Sequence, residues 1–502
     1  MFRVSDYLDR HLRVPDGNAP RRRGGKRDPT GIAAIAASAD PFAALREWAA
    51  NTGGGAWIGT WRDHPGPGWP DPWFADREDA VLVLGPPRWG KTQSIIIPSV
   101  IAAPGPVVST STKLDVFRAT EGARRAVGAV WVFNPARRET LPPGVNELRW
   151  SPLLTSITWG GALRIARAMA ATPGEETPSS KTEDPHWKRR ASRLLAPLCH
   201  AAALADRSMV DILDWLQNED IDTAGEILAA HPTNTARAEG ALTGIGNTPE
   251  RERGSIFGTA LSLLDAYESH EALDAASDPN LDAAAFVRST DTIYIAAPAE
   301  DQALTAPLVV GLLDDIRRAA YERQRQIDTG AEAQQWPVTM ALDELANIAP
   351  IHDLKSMVSE GGSQGLHIIA SFQDLGQIRA RWGEHLADAA LTLFGRKVIL
   401  GGIGDTKTLE AISLMLNEFD RHIVTETANK GWTPVWGSTS MTTQRQRNWT
   451  PGGIREIAKG EALYLWQNNW TRMVLTDYSQ HVPWPQVMAS IQEHAAPSSQ
   501  RP

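Results

Sequence analysis

Short apolar runs alternate with longer amphipathic stretches in two separate parts of the chain. The apolar runs lie at residues 80–84, 106–110, 129–133, 292–296, 338–342, 366–371, 397–400 and 462–466. Runs of this length and branching are typical of buried strands. Strand–helix alternation is typical of a mainly parallel sheet with helices on both faces. The pattern therefore predicts an α/β fold, with the run at 462–466 closing the sheet.

The two parts are separated by residues 157–287, which contain no run typical of a strand. Within residues 186–203 the apolar side chains recur at helical spacing, while Lys188 and Arg189 lean toward the opposite face. This segment is predicted to be an all-α inserted domain. A stretch at 172–184 that is rich in Pro, Glu, Ser and Thr predicts a mobile linker.

The remaining boundaries follow from the ends of the chain. Residues 1–78 are predicted to be a partly flexible N-terminal lead-in, with a short helix at 41–51 and a Trp-, Gly- and Pro-rich loop from 57 to 73. A basic run at 21–27 is either a solvated arm or an anchor to anionic lipid or nucleic acid. Residues 481–502 are predicted to be a C-terminal tail. The nucleotide-binding domain then comprises residues 79–156 and 288–480.

Composition narrows the class of protein. The chain has 502 residues, 42% of them hydrophobic and 22% charged, as is ordinary for a globular protein. Its net charge of −9 excludes a generally basic nucleic-acid coat, although a local basic channel remains compatible with it. The single cysteine, Cys199, is expected to be a buried small hydrophobe. No stretch is long enough to span a bilayer and no signal peptide is visible, so we expect a cytoplasmic protein.

The most specific motif lies at residues 85–92, which read G-P-P-R-W-G-K-T. This is the pattern of a P-loop, and it follows an apolar run and precedes a helical stretch, as a P-loop must. Lys91 is expected to reach the β- and γ-phosphates of ATP, and the Thr92 hydroxyl to bind Mg²⁺. The predicted nucleotide-binding residues are Gly85, Pro86, Pro87, Arg88, Trp89, Gly90, Lys91, Thr92 and Gln93.

Two later strand ends supply candidate catalytic groups. Asp343 and Glu344 follow the run at 338–342, which is the Walker B arrangement. Asp343 is expected to hold Mg²⁺ and Glu344 to polarise the attacking water. Gln373 follows the run at 366–371 and is expected to sense the γ-phosphate, because ligands collect at the carboxyl ends of parallel strands. The predicted catalytic residues are thus Lys91, Glu344 and Gln373.

Several motifs together resemble one family. They are residues 111–115 (STKLD), 342–350 (LDELANIAP), 371–374 (SFQD), 377–383 (QIRARWG) and 401–402 (GG). As a set they resemble the TraG/TraD-type coupling proteins of conjugative DNA transfer and type IV secretion, over about residues 78–480. The resemblance implies a RecA-like P-loop ATPase of the FtsK/HerA group, with a mainly parallel sheet and an all-α inserted domain. It also implies a homo-oligomeric ring, with six subunits as the expected number.

The implied function is ATP-driven delivery of relaxase-bound DNA to a membrane channel, with non-sequence-specific DNA contacts. Two alternatives remain open: a nucleotide-switched adaptor that recruits a secretion substrate without moving it, and an ATPase for protein substrates. Family members usually carry N-terminal transmembrane helices, so peripheral recruitment to the inner face of the membrane by a partner is expected here. Many also carry an arginine, a candidate finger for the nucleotide site of a neighbouring subunit, where this chain reads SEGGSQG at 359–365. Candidates for that role are Arg381, Arg396 and Arg445.

Overall fold

The computed structural model describes most of residues 31–495, and the basic run at 21–27 and the linker at 172–184 lie outside the described residues. Within that span it leaves out residues 53, 62–71, 137–140, 143, 171–184, 232, 234, 299, 352, 417 and 428–437. No helix in the described part of the chain is long and apolar enough to cross a membrane.

The strands form one large sheet and one hairpin. In chain order they are β1 (Gly54–Trp61), β2 (Pro72–Asp76), β3 (Val81–Leu84), β4 (Val107–Ser111), β5 (Val130–Phe133), β6 (Asn146–Glu147), β7 (Thr292–Ala296), β8 (Val338–Leu342), β9 (Leu366–Phe372), β10 (Arg396–Leu400), β11 (Glu418–Thr427), β12 (Ser438–Arg447), β13 (Glu461–Trp466) and β14 (Asn469–Val474). The order across the large sheet is β2-β1-β14-β13-β10-β3-β9-β8-β4-β7-β5-β6.

The pairing of these strands confirms the predicted α/β class. From β10 to β6 every neighbouring pair is parallel, whereas β13, β14, β1 and β2 continue the sheet from β10 by antiparallel pairing. Strand β9 lies between β3, which precedes the P-loop, and β8, which precedes Asp343. The carboxyl ends of these three strands therefore meet at one edge of the sheet.

Both faces of the sheet are buried, which explains why its strands are continuous apolar runs. In β3, Leu82 and Leu84 contribute to the core on one face, and Val81 and Val83 to the core on the other. The second face is covered by helices that include Pro41–Asn51, Ile97–Ala102, Asp115–Arg125 and Trp484–Ala495. The first face is covered by helices that include Gln302–Asp328, Leu354–Glu360, Leu375–Trp382, Glu384–Leu393, Thr406–Met415 and Pro451–Arg455.

The first two strands correct the two ends of the predicted loop at 57–73, whose middle part, residues 62–71, lies outside the described residues. Glycines of β1 lie where backbones approach too closely for a side chain, which is a packing role and not that of a loop residue. A Cβ at position 55 would lie 1.9 Å from the Ala75 carbonyl oxygen, and one at position 59 would lie 2.5 Å from that of Val474. Strands β1 and β2 belong to the large sheet, so the predicted domain boundary at 78 falls inside that sheet, and the run at 462–466 does not close it.

The C-terminal region carries a second correction, because the helix Trp484–Ala495 replaces most of the predicted tail at 481–502. The Trp484 ring packs edge-on against Trp57, with ring centroids 4.9 Å apart. The Ser490 hydroxyl donates to the Asp40 carboxylate at 2.7 Å. Asp40 is also the N-cap of the predicted helix Pro41–Asn51, which the structure confirms. Residues 496–502 lie outside the described residues.

Between β6 and β7 the described residues form helices and turns. The α-helices are Leu153–Ser156, Trp159–Ala170, Pro185–Leu204, Met209–Gln217, Asp222–Ala230, Ala236–Gly246, Glu250–Ser262, His270–Ala275 and Ala283–Phe286. Cys199 is fully buried on the central helix, and burial raises the pKa of its thiol to about 12, as expected for an inert residue. This helical segment shares one continuous core with the sheet. At the junction, Trp150 Nε1 donates to the Asp315 carboxylate at 2.8 Å.

Strands β11 and β12 form a separate antiparallel hairpin that the sequence patterns do not predict. Its register pairs Glu418 with Arg447 and Thr427 with Ser438. Polar residues stand at both odd- and even-numbered positions of the two strands. The apolar–polar alternation that identifies a half-buried strand is therefore missing from its sequence.

Candidate nucleotide-binding site

The P-loop leaves the centre of the sheet between two flanking strands. Strand β3 ends at Leu84, and the next backbone N–H, that of Gly85, donates to the Phe372 carbonyl of β9 at 3.1 Å. On the other side, a Cβ at position 85 would lie 2.8 Å from the Leu400 Cβ of β10. A side chain at position 85 would push the loop away from β10, so glycine fixes where the loop begins.

The loop turns back through residues with positive φ. Arg88 has φ 66° and Gly90 has φ 96°, and the Ser94 N–H donates to the Gly90 carbonyl at 2.9 Å. A π-helical turn over Thr92–Ile96 then runs into the helix Ile97–Ala102. Backbone N–H groups of such a loop and of the helix start face the same region and favour an anion there. Pro87 and Arg88 are exposed at the tip of the loop.

Lys91 is folded back over its own loop. Its Nζ donates to the Gly85 carbonyl at 2.5 Å and to the Pro86 carbonyl at 3.1 Å, and the residue is only 9% exposed. Burial lowers the pKa of Lys91, and the nearby Asp343 and Glu344 carboxylates oppose that change. The amino group thus lies between the phosphate-binding loop and two acidic side chains.

Asp343 joins three strand ends through its oxygens. The Thr92 hydroxyl donates to Asp343 Oδ2 at 2.5 Å, and the Ser371 hydroxyl donates to Oδ1. The Asp343 backbone carbonyl accepts from the Thr110 hydroxyl at 3.0 Å. A carboxylate beside a hydroxyl is a set of hard oxygen donors, which Mg²⁺ prefers.

Glu344 has a left-handed backbone, with φ 49°. Its N–H donates to Asp343 Oδ1 at 3.1 Å and to Ser371 Oγ at 3.2 Å, and these contacts hold the unusual conformation. Burial raises the pKa of the Glu344 carboxyl, and the neighbouring Asp343 raises it further. Lys91 and a side-chain hydrogen bond with Asn347 act in the opposite direction.

Gln373 lies at the end of β9, between the P-loop and Asp343. Its backbone N–H donates to Gln377 Oε1 at 3.0 Å, which ties the strand end to the helix Leu375–Trp382. Of the arginines considered as fingers, Arg381 donates through Nε to the Ala346 carbonyl at 3.0 Å. Arg396 pairs with Asp79 at the start of β10, on the opposite edge of the sheet. The Arg445 side chain lies outside the described ones.

Trp89 explains the Gly401-Gly402 pair that follows β10. A Cβ at position 402 would lie 2.4 Å from the Trp89 ring atoms Cε2 and Cζ2, and Gly402 has φ +76°. A Cβ at position 401 would lie 2.1 Å from the Ile457 carbonyl oxygen. The Gly402 N–H donates to the Arg455 carbonyl at 2.8 Å. The indole therefore lies against a backbone surface that only glycine provides, and it fixes one side of the P-loop.

Sequence reasoning missed several residues of this site. The sequence predicts no role in the site for Ser371 and Thr110, yet their hydroxyls donate to Asp343. Asn347 and Gln377 lie in quoted motifs, but no role was inferred for them. A detectable signal is a hydroxyl near the carboxyl end of these two buried strands, β4 and β9, where an apolar residue would otherwise be expected.

The acidic groups of the site are few. Among the described residues there is no group of three or more His, Cys, Asp or Glu side chains that could hold a metal ion by themselves. Mg²⁺ commonly takes one or two carboxylates and completes its shell with phosphate oxygens and water. The pair Thr92 and Asp343 fits that kind of site, in which the nucleotide supplies the remaining ligands.

Sequence comparisons identify relatives of this chain. A family model described as "Type IV secretory system Conjugative DNA transfer" matches residues 51–447. Two Escherichia coli proteins, each called conjugal transfer protein TraG, are 23% and 22% identical over 365 and 368 residues, or 68% of this chain. The match covers 55% of each relative, so the chain aligns with little more than half of their length.

Structure comparisons identify the same group. The bacterial conjugative coupling protein TrwBdeltaN70 matches with a TM-score of 0.60 and 16% identity, over 81% of this chain and 86% of that one. TrwB in complex with ADP and Mg²⁺ matches with a TM-score of 0.59 and 15% identity over the same shares. TrwB in complex with the non-hydrolysable ATP analogue ADPNP gives 0.59 and 16%, again over 81% and 86%. These matches confirm the predicted RecA-like P-loop fold.

Proposed function

Because this chain belongs to the type IV secretory system conjugative DNA transfer family, we propose that it is an ATP-driven coupling protein that delivers relaxase-bound DNA to a secretion channel. The observation that carries this proposal is the convergence of Lys91, Thr92, Asp343 and Glu344 at neighbouring strand ends. A P-loop fold that only bound nucleotide would not need a second, partly buried carboxylate facing the P-loop lysine.

The nucleotide is proposed to be ATP with Mg²⁺, which provides electrostatic stabilisation of the phosphates when bound. Support comes from the TrwB complexes with ADP and Mg²⁺ and with an ATP analogue, and from the oxygen donors of Thr92 and Asp343. Residues 85–93 would cradle the phosphates. Lys91 would exchange its two loop carbonyls for phosphate oxygens, which a P-loop lysine neutralises.

Hydrolysis is proposed to depend on Glu344. Its backbone is fixed by Asp343 and Ser371, and its carboxyl lies near enough to Lys91 for the lysine charge to lower its pKa. From there it would orient the attacking water and accept its proton. Gln373, on the strand between the P-loop and Asp343, would respond to the γ-phosphate and pass its presence to the helix Leu375–Trp382.

We propose a ring of identical subunits, six in number, with nucleotide at each interface. The P-loop tip at Pro87 and Arg88 is exposed and would face the neighbouring subunit. DNA contacts are proposed to be with phosphates rather than bases, and the further partners to be a relaxase or other secretion substrate and a membrane channel component. Recruitment to the inner face of the membrane would then be peripheral and partner-dependent.

The test is the ATPase rate with and without single- and double-stranded DNA at several salt concentrations. We expect stimulation by DNA that falls steeply with salt, because phosphate binding releases counterions. Lys91→Ala should abolish hydrolysis under every condition. ATP hydrolysis that DNA leaves unchanged, but that a protein substrate stimulates, would favour a protein-secretion ATPase. ATP binding without hydrolysis would favour the nucleotide-switched adaptor.

A further inference from the structure

Two amide side chains connect the Glu344 carboxylate to the end of β9. Gln377 Nε2 donates to Asn347 Oδ1 at 3.4 Å, and Gln377 Oε1 accepts from the Gln373 backbone N–H at 3.0 Å. The Asn347 backbone N–H donates to the Glu344 carbonyl at 2.9 Å, and the Asn347 side chain lowers the pKa of the Glu344 carboxyl, so the two residues are neighbours. Asn347 lies on the short helix Leu345–Ile348 that follows β8, and Gln377 on the helix that follows β9. The two amides thus bridge two neighbouring strand ends.

The hydrogen bonds that link Gln373, Gln377 and Asn347 all run in one direction, toward Glu344. Because Asn347 Oδ1 is taken by Gln377, its NH₂ group is the part that is left to serve the Glu344 carboxylate. Gln377 in turn uses its NH₂ group toward Asn347 and its oxygen toward Gln373. Hydrogen bonds aligned in one direction polarise one another, and the last of them ends on an ionisable acceptor.

We propose that Asn347 and Gln377 are positioning residues that hold the Glu344 carboxylate in a fixed relation to the Gln373 strand end. The inference rests on the proposed role of Glu344 in hydrolysis and extends it. When the end of β9 moves, the Gln373 N–H pulls on Gln377, and Asn347 carries the movement to the carboxylate. The pair therefore couples the position of Gln373, the proposed γ-phosphate sensor, to the orientation of the Glu344 carboxylate, which is proposed to orient the attacking water.

The connection uses the backbone of Gln373 and not its side chain. Gln373→Ala keeps the N–H that donates to Gln377. It should therefore abolish the response to the γ-phosphate while leaving the Glu344 carboxylate in its position. Asn347 and Gln377 act in series, so the loss of either amide should disconnect the carboxylate. Once one of them is gone, removal of the other should add little.

The experiment compares Asn347→Leu, Gln377→Met and the double variant, which remove the amides at nearly constant volume without adding charge. We expect kcat for ATP to fall roughly 10–100-fold in each single variant, the usual cost of losing a group that orients a functional side chain. The Kd for a non-hydrolysable ATP analogue should change less than about threefold, because Lys91 and Thr92 are untouched. The double variant should be no slower than the worse single variant by more than about threefold.

The matched control is Gln324→Met, which removes a side-chain hydrogen bond to Asp328 of 2.8 Å outside the site. It should keep the wild-type kcat. Multiplicative losses in the double variant, or parallel losses of kcat and analogue binding, would overturn the proposal, since both indicate general damage. If Asn347→Leu fails to fold, Gln377→Met alone decides through the separation of kcat from Kd. A wild-type protein without ATPase activity, or a fully active Glu344→Gln variant, would refute the proposed function itself.

Discussion

Gly402 offers a sharp test of how the P-loop is held. In Gly402→Ala the new Cβ would lie 2.4 Å from two ring atoms of Trp89. Carbon atoms pack at about 3.5–4.0 Å, so the indole must shift by roughly 1 Å and take the P-loop with it. The backbone adds a second cost, because φ at this position is +76°. We expect weaker nucleotide binding together with lower stability.

The two costs can be separated. Alanine in the left-handed region costs roughly 1–2 kcal/mol, and overpacking typically costs about 1–3 kcal/mol more. The substitution should therefore lower the free energy of unfolding by about 2–5 kcal/mol. In a double-mutant cycle with Trp89→Ala the overpacking part should disappear, which leaves the backbone part in place.

The assay is chemical denaturation together with titration of a fluorescent ATP analogue. Gly404→Ala is the matched control, because a Cβ at position 404 meets no atom within 4 Å. It should behave like the wild type in both measurements. If Gly402→Ala also behaved like the wild type, or if its cost were unchanged in the Trp89→Ala background, the proposed contact between Trp89 and Gly402 would be refuted.

Three further predictions concern charged groups. Glu344→Gln should still bind ATP but hydrolyse it roughly 10²–10⁴-fold more slowly, and it should assemble with ATP where Lys91→Ala does not; wild-type turnover would contradict the first part. Asp315, buried beneath Trp150, has its pKa raised from 3.8 to about 6, mainly by burial. Because the folded state favours its protonated form, stability should fall as pH rises from 4 to 6, by ~3 kcal/mol in all. Asp315→Asn should lack this pH dependence in denaturation curves. Arg124 is fully buried and donates to the Ala103 carbonyl and the Thr292 hydroxyl. The substitution Arg124→Met should lower the free energy of unfolding by about 3 kcal/mol or more, since several carbonyls and a hydroxyl lose their donors.

The parts of this fold that sequence predicts are those with local signals. Val81 to Leu84 is an unbroken apolar run because both of its faces are buried, and the P-loop that follows has a spacing required by phosphate. Strand β1 is not predicted because its glycines serve backbone packing against distant residues such as Val474. A local sequence pattern cannot indicate that a strand pairs with residues so distant in the chain.

The same limit applies to the site. Asp343 and Glu344 follow a strand and a P-loop, so their roles could be anticipated from order alone. The contacts of Ser371 and Gln377 depend on which strands are neighbours, and that order became known only from the sheet. The left-handed backbone of Glu344 is likewise a tertiary effect, since its N–H is held by Ser371 from the adjacent strand.

The pairing of β1 with β14 has a consequence for how this protein is made. Thr60 aligns with Val474 and Trp61 with Met473, so a strand near the start of the chain acquires its neighbour only when one of the last strands is synthesised. On the ribosome, β1 and β2 must wait with an unpaired edge through the synthesis of every strand from β3 to β13, and an unpaired edge is a known aggregation hazard. Any nascent chain that stops before β14 leaves that edge permanently open.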